Sequence, residues 1–391
     1  VPLFYFKYFA ALNNEIFALL ETYNLRWPLP EIKLILPIGI SFYTFMAIGY
    51  TIDVYNEEIE PEKNIGILAL FVSFFPLILS GPIERAKNIL PQFKKLKVFD
   101  YHMAVQGLKL ILWGYFMKLV VADRLGIYID AVYKNITQHN GTSLLFASFL
   151  YPFQVYADLG GYSLIAIGTA KILGINVMQN FKRPFFATSM SEFWRRWHIS
   201  LISWLTDYVY TPLSFAFRKY SVWGIVIALM ITFFISGIWH GLALTFIIWG
   251  LIQGILLSSE ALISKKRFVF EDKYHLRNKW WYTLICCGTT YVLFSFSQIF
   301  GRSSSVNEAC LVINKIFSVH GKLFIDKPSI SIGSMALFLL LLKDFKDEYK
   351  LNLNFLSSKF AVIRYISIIA LISIILLFGV FDGSQFIYFQ F

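Results

Sequence analysis

The sequence predicts an all-α polytopic membrane protein, with about nine to eleven membrane-crossing or re-entrant helices of roughly 20 residues each. Three observations lead there. The 391 residues are 57% hydrophobic and only 15% charged, against about a quarter charged in water-soluble domains, and mean hydropathy is +0.60. The apolar residues come in blocks, of which 221–239 and 361–381 are each long enough to cross a hydrocarbon core. The basic residues gather in short connections between the blocks. Such a chain cannot cover itself with a polar surface.

Net charge is +11, from 35 Lys+Arg against 24 Asp+Glu. In a water-soluble chain that balance would suggest nucleic acid. Cations confined to short loops instead mark the cytoplasmic ends of membrane helices, so the expected partner is the lipid bilayer and no nucleic acid. Cys286, Cys287 and Cys310 have neither disulfide-framework nor metal-site spacing and read as packing residues.

Taken in order, residues 1–20 are aromatic but broken by Lys7, Asn13, Asn14 and Glu15, as in a weak span or an interfacial helix. Leu34 to Tyr50 is apolar, opened by Pro37 and Gly39 and closed by Asp53. NEEIEPEK (56–63) is an acidic loop. Residues 65–83 are apolar but short, with Pro76, Gly81 and Pro82 near their end. Irregular backbone at membrane depth survives only inside protein or beside a water-filled cavity, so a re-entrant segment is expected. Arg85, Lys87, Lys94, Lys95 and Lys97 then mark a cytoplasmic loop, Arg85 being no more than an anchor there. Residues 103–122 read as a span ending at Asp123-Arg124. The stretch 142–174 reads as two apolar runs meeting at YADLGGYS (156–163), where Gly160-Gly161 can break the helix. FKRPFFATSMSEFWRRWHISLISWL (181–205) is basic and aromatic, and its Lys182, Arg183, Arg195 and Arg196 again argue for the cytoplasmic side. Spans 221–239 and 241–263 lead into the basic loop Lys265-Lys266-Arg267. Spans at 280–300, 331–342 and 361–381 follow. The chain opens on Val1 with no secretory-signal pattern. One membrane domain over 1–391, from a longer protein with membrane helices upstream, is the expectation.

Polar groups in apolar surroundings are costly, and these locate the chemistry. His240 in Trp239-His240-Gly241 lies between two apolar runs, with Gly237 and Gly241 on either side. A neutral imidazole there can accept a proton as a general base; it can equally be a structural histidine bonded to a neighbouring helix. His198 sits in a segment where Ser191 suits an N-cap and Ser189 and Glu192 have capping-box spacing. On a helix over 190–205, Trp194, Trp197, His198 and Leu201 share one face while Arg195 and Arg196 point elsewhere. That pattern fits a helix lying at the membrane interface. It also fits a basic aromatic mouth for an anionic donor, because the planar guanidinium suits phosphate. Asp158 lies between apolar runs, where an acid faces a cavity or pairs with a cation. There is no Gly-Lys-Ser/Thr phosphate loop and no Gly-x-Ser-x-Gly elbow. With two imidazoles and no third ligand, no metal site is expected.

The run NFKRPFFATSMSEFWRRWHISLISWLTDYVYTPL (180–213) resembles the signature of the membrane-bound O-acyltransferase family, in the bacterial branch that acetylates alginate and peptidoglycan. LPIGISFYTF (36–45), TIDVY (51–55), SGPIERA (80–86), QVYADLGGYSLIAIG (154–168), SGIWHG (236–241) and FIYFQF (386–391) fit the same branch in the same order. The resemblance implies a ring of helices around a central funnel with His240, the catalytic histidine, at its narrow point and His198 as the second catalytic position. Trp194, Arg195, Arg196, Trp197, Trp239, Asp158, Tyr156 and Ser163 would line the donor site or funnel. It implies a cytoplasmic thioester donor, acetyl-CoA or similar, with no bound cofactor. The acceptor would be a cell-surface polysaccharide, reached through a periplasmic or extracellular partner of hydrolase-like fold, and the location the bacterial inner membrane. The family often has Asp at Leu164, Arg at Thr206 and His at Gln253, and polar or aromatic residues at Leu242-Ala243-Leu244; these departures leave the acceptor and partner open. Two other activities stay in view: D-alanyl transfer to teichoic acid from a carrier protein, and a proton-coupled transporter using His240 and Asp158. Against the transporter, the chain shows no repeated halves.

Overall fold

Every described element is a helix or a connection; there is no strand among the described residues. The structure, a computed structural model, describes residues 39–381 apart from 80, 278 and 353–354, together with scattered positions before residue 39. The terminal FIYFQF, the start of 36–45 and much of 1–20 lie outside the described residues. The helices are α1 (Ile40–Tyr55), α2 (Ile65–Val72), α3 (Phe75–Ile78), α4 (Ala86–Phe93), α5 (Tyr101–Tyr133), α6 (Gly141–Ile172), α7 (Met190–Arg196), α8 (Ile199–Leu205), α9 (Thr211–Ala216), α10 (Val222–His240), α11 (Leu244–Lys273), α12 (Trp280–Arg302), α13 (Val306–Ser318), α14 (Lys327–Glu348) and α15 (Ala361–Phe378). Six of them (α5, α10, α11, α12, α14, α15) are long and apolar enough to cross a membrane. Elsewhere the chain forms the 32-residue α6 and short helices, and among the described residues 65–83 holds α2, α3 and irregular backbone around them.

Glycine decides how the two longest helices meet. Gly107 and Gly114 of α5 face Gly168 and Gly161 of α6. A Cβ on Gly107 would stand 2.5 Å from the Gly168 carbonyl oxygen, and one on Gly114 2.6 Å from the Gly161 carbonyl oxygen. The seven-residue spacing on both helices keeps the small residues on one seam, so the backbones touch directly, as membrane helices do in the absence of a hydrophobic drive between them. The expected helix break at Gly160-Gly161 is therefore corrected: α6 runs through, and Gly161 serves the crossing. Gly114→Val should destabilise the protein by about 1–3 kcal/mol through overpacking, read as a lower unfolding temperature in detergent.

The expected end of the span at Asp123-Arg124 is also corrected. The helix continues to Tyr133 through a π-helical stretch, Phe116–Ala122. Lys118, carried on that stretch, meets both Asp123 (2.6 Å) and Asp158 of α6 (2.8 Å), all three side chains buried. Asp123 thus sits inside the fold, paired, and does not mark a water-facing end. Lys265-Lys266-Arg267 is not a loop but lies within α11, whose 30 residues span about 45 Å and outreach the hydrocarbon layer. Arg267 pairs with Glu271 at 2.6 Å and donates to the Thr188 carbonyl at 3.1 Å. Cys286 and Cys287 are half-buried, but Cys310 is exposed and packs against little.

Arg85 is buried, not a surface anchor. It pairs with Asp207 at 2.7 Å and lies over the Tyr208 ring, whose hydroxyl donates to the buried Asp53 of α1 at 2.6 Å. Next to it Glu84 accepts from the Met178 backbone N–H and from Asn88 at 2.8 Å, and burial pushes its carboxyl upward. This polar knot ties α1 and the SGPIER loop to the stretch that follows α8.

Candidate active site

His240 is the last residue of α10, and the chain turns at once through Gly241 into α11. The hairpin is tight because two glycines allow it. A Cβ on Gly237 would stand 2.5 Å from the Phe246 carbonyl oxygen, and one on Gly250 would collide with that of Phe233. The His240 ring is half-buried. It stands 4.7 Å from the Trp239 ring, 5.0 Å from Trp249 and 6.1 Å from Phe246, a set of aromatic walls. Trp239 is fixed in turn by α1, stacking on Phe45 at 5.4 Å and meeting Phe42 edge-on. Phe45 also stacks on Trp204 at 4.3 Å, and the Trp204 indole donates to the Phe45 carbonyl at 2.9 Å.

The segment 190–205 is not one amphipathic helix on a surface. Ser189, not Ser191, caps α7, accepting from the Glu192 N–H at 3.1 Å, while the Glu192 carboxylate accepts from the Thr188 N–H at 2.8 Å. The helix then breaks: Trp197 is extended and His198 adopts the left-handed conformation, φ 45, before α8 begins. That conformation costs a non-glycine residue about 1–2 kcal/mol, and the surroundings hold it. Asn180, fully buried, receives the Ile199 N–H on its carbonyl (2.8 Å), and the Ser200 N–H (3.2 Å) and hydroxyl (2.9 Å) on Oδ1. Its Nδ2 donates to Ser163 of α6 at 2.9 Å. Lys182 N–H donates to the Arg196 carbonyl at 2.8 Å, closing the frame from the other side. Asn180→Leu should lower stability by about 1–3 kcal/mol, by stranding the polar groups it serves; thermal unfolding checks this.

His198 is 2% exposed, and neither ring nitrogen has a hydrogen-bond partner. Burial pushes its imidazole down to about 3, so the ring is neutral near pH 7. It meets Trp239 edge-on at 6.3 Å. The two histidines therefore flank one indole, which is how the fold joins SGIWHG to the FWRRWH segment.

The other expected residues fall into separate places. Trp194 and Trp197 are buried in the aromatic core around Phe193 and Phe294. Arg195 is exposed. Arg196 is held by Glu192 at 2.6 Å and Glu348 at 2.9 Å, and Arg183 shares Glu348 at 2.6 Å. Tyr156 and Ser163 line a cavity of about 80 Å³ with Asn180, Arg183, Lys343 and Asp344, and Tyr156 donates to Asp344 at 2.8 Å. Asp158 is in the Lys118 triad, away from the two histidines in its bonding. Sequence reasoning missed Asn180, Trp249, Asp344 and Lys118. Among them Lys118 alone had a plain signal, an ammonium inside an apolar span. Among the described residues, no group of three or more His, Cys, Asp or Glu is placed to hold a metal ion.

This arrangement is that of a multi-pass membrane protein with two imidazoles, one buried and one half-buried, among aromatic rings. The chain belongs to the membrane-bound O-acyltransferase family, whose model matches residues 64–286, a stretch that contains both histidines. It is 35% identical over 61% of its length to "Probable alginate O-acetylase AlgI" of Pseudomonas putida, covering 48% of that protein. It is 32% identical to the "Peptidoglycan O-acetyltransferase" of Helicobacter pylori, over 77% of this chain and 61% of that one. It is also 27% identical to the "Teichoic acid D-alanyltransferase" of Bacillus subtilis, over 70% and 71%. The chain spans about half the length of the alginate relatives. Family and helices together make it a multi-pass protein of the bacterial inner membrane.

Proposed function

We propose that the chain carries out O-acyl transfer, moving an acetyl group from a cytoplasmic thioester to a hydroxyl of a cell-surface polysaccharide. The observation that carries this reading is the pair of imidazoles, His240 and His198, flanking the Trp239 indole within the family segment. His240 takes the proton of the attacking hydroxyl, whose oxygen forms the new bond to the thioester carbonyl carbon. The tetrahedral adduct collapses, the carbon–sulfur bond breaks, and the sulfur leaves with the proton that His240 held. An ester and a thiol result, and His240 is regenerated. His198, neutral and unpartnered, hydrogen-bonds the donor's acyl end. The aromatic walls keep water from hydrolysing the thioester. Exposed Arg195 meets the donor's phosphates, while the cavity behind Asn180, with Tyr156 and Ser163, belongs to the donor side. A periplasmic partner of hydrolase-like fold takes the acyl group onward.

The likeness to a D-alanyltransferase across about seven-tenths of both chains supports a second reading, D-alanyl transfer from a carrier protein. One experiment separates them. Cells with and without the gene are compared for the group that mild alkali releases from their envelope polymers. Gene-dependent acetate supports acetyl transfer and D-alanine supports the alternative. Neither being gene-dependent would sink O-acyl transfer.

A further inference from the structure

Two elements carry buried hydrogen-bond donors on neighbouring rings, one of which stands against His240. Trp249 of α11 meets the His240 ring at 5.0 Å, nearly perpendicular. Trp194 of α7 meets Trp249 at 6.1 Å and Phe233 of α10 at 5.1 Å. The two indoles are 6% and 5% exposed, and the Nε1–H of each is buried without a hydrogen-bond partner. A buried N–H left unmade is costly and native proteins keep few of them. Two on neighbouring rings, of which Trp249 stands against the proposed base and Trp194 behind it, point to an acceptor that arrives with the substrate. The rings cannot turn away: Trp194 is packed against Phe193 and Phe294, and Trp249 sits on the α11 face that Gly237 and Gly250 press against α10.

We infer that the indole N–H groups of Trp249 and Trp194 receive the oxygen of the acyl carbonyl as it becomes an oxyanion. The inference rests on the acyl-transfer reading. When the hydroxyl oxygen adds to the carbonyl carbon, the carbonyl π pair moves onto oxygen. The negative charge forms in an apolar site without water, where fixed donors count most. When the carbon–sulfur bond breaks, that pair returns to re-form the carbonyl. No other reactant is needed. Donors held by packing cost no reorganisation at that moment.

The test removes the N–H and keeps the ring. Benzothienylalanine, with sulfur in place of N–H, is placed at position 249, at 194, and at both. Trp249→Phe serves as a second variant. Inside-out vesicles from cells holding the chain and its acceptor polymer receive radiolabelled acetyl-CoA, and alkali-labile label on polymer is followed against donor concentration, with His240→Ala alongside. The expected result is a fall in kcat of about a hundredfold for position 249 with KM for acetyl-CoA within about threefold. A smaller fall is expected at 194, and a double variant no better than the worse single one. Wild-type kcat in the benzothienyl variants overturns the inference, as does a rise in KM alone, which would make the indoles ground-state contacts. If His240→Ala is dead while both indole variants keep full activity, the indole assignment alone is lost. If wild-type vesicles transfer no label, the acyl-transfer reading falls and this inference with it.

Discussion

His240→Ala is expected to abolish acyl transfer while the protein still inserts and accumulates at the wild-type level. His240 ends α10 and is half-buried among Trp239, Trp249 and Phe246, so removing its ring opens space at the edge of the core and leaves the α10–α11 seam intact. Loss of proton transfer alone costs about 10²–10⁴ in rate, enough to bring ester content to the level of a gene deletion. The measurement is polymer ester per unit of membrane protein, with the variant quantified in the same membranes. Wild-type ester content in that variant would return His240 to the structural role that the sequence alone left open. His198→Ala makes a useful contrast. Its ring fills a buried site, so stability falls as well, whereas His198→Gln keeps a polar group of similar reach. Turnover loss in His198→Gln without loss of accumulated protein would separate hydrogen bonding from packing.

Much of the fold was legible because its periodicity is coarse. A run such as 222–239 carries no charged residue and is apolar on all sides, and only a membrane helix answers to that. What was not legible depended on partners distant in sequence. Gly160-Gly161 reads as a break when α6 is taken alone; only Gly107 and Gly114, some fifty residues earlier, show that the glycines make room for another backbone. Asp123 reads as a water-facing end until Lys118 and Asp158 enclose it. The site divided in the same way. The two histidines stood out as polar rings in apolar runs, and the ordered motifs around them identified the family. The break at Trp197-His198 was hidden because the amphipathic spacing over 190–205 is real: Trp194, Trp197, His198 and Leu201 are all buried. That burial is achieved by two short helices held by Asn180, whose role lies in backbone hydrogen bonds that no side-chain pattern reveals. Trp249 was one aromatic among many, and its unpartnered N–H is a property of the packed structure only.

Lys118→Met should be the most destabilising of the single substitutions considered, at about 3–5 kcal/mol, because it leaves Asp123 and Asp158 as buried carboxylates without their cation. Methionine fills nearly the same volume, so the loss isolates charge from packing. The remedy is specific. Adding Asp123→Leu and Asp158→Leu removes the uncompensated charges, and replacing a whole buried ion group by apolar residues of similar volume is often close to neutral in stability. The triple variant should therefore unfold near the wild-type temperature, well above Lys118→Met, when both are followed by thermal unfolding in detergent. If Lys118→Met is as stable as wild type, the triad is not an ionic one and the pairing has been misread. The position gives the prediction a functional side. Asp158 lies on α6 between Tyr156 and Ser163, two of the residues that line the cavity, and one turn from Gly161 at the α5–α6 crossing. Ser163 in turn accepts from Asn180, which frames His198. The triad thus ties α6 to α5 beside the glycine seam, and Ser163 and Asn180 link α6 in turn to the histidine. A triple variant that regains stability should regain turnover with it; stability without turnover would show that the charges themselves, and not only the helix contact they hold, are needed at the site.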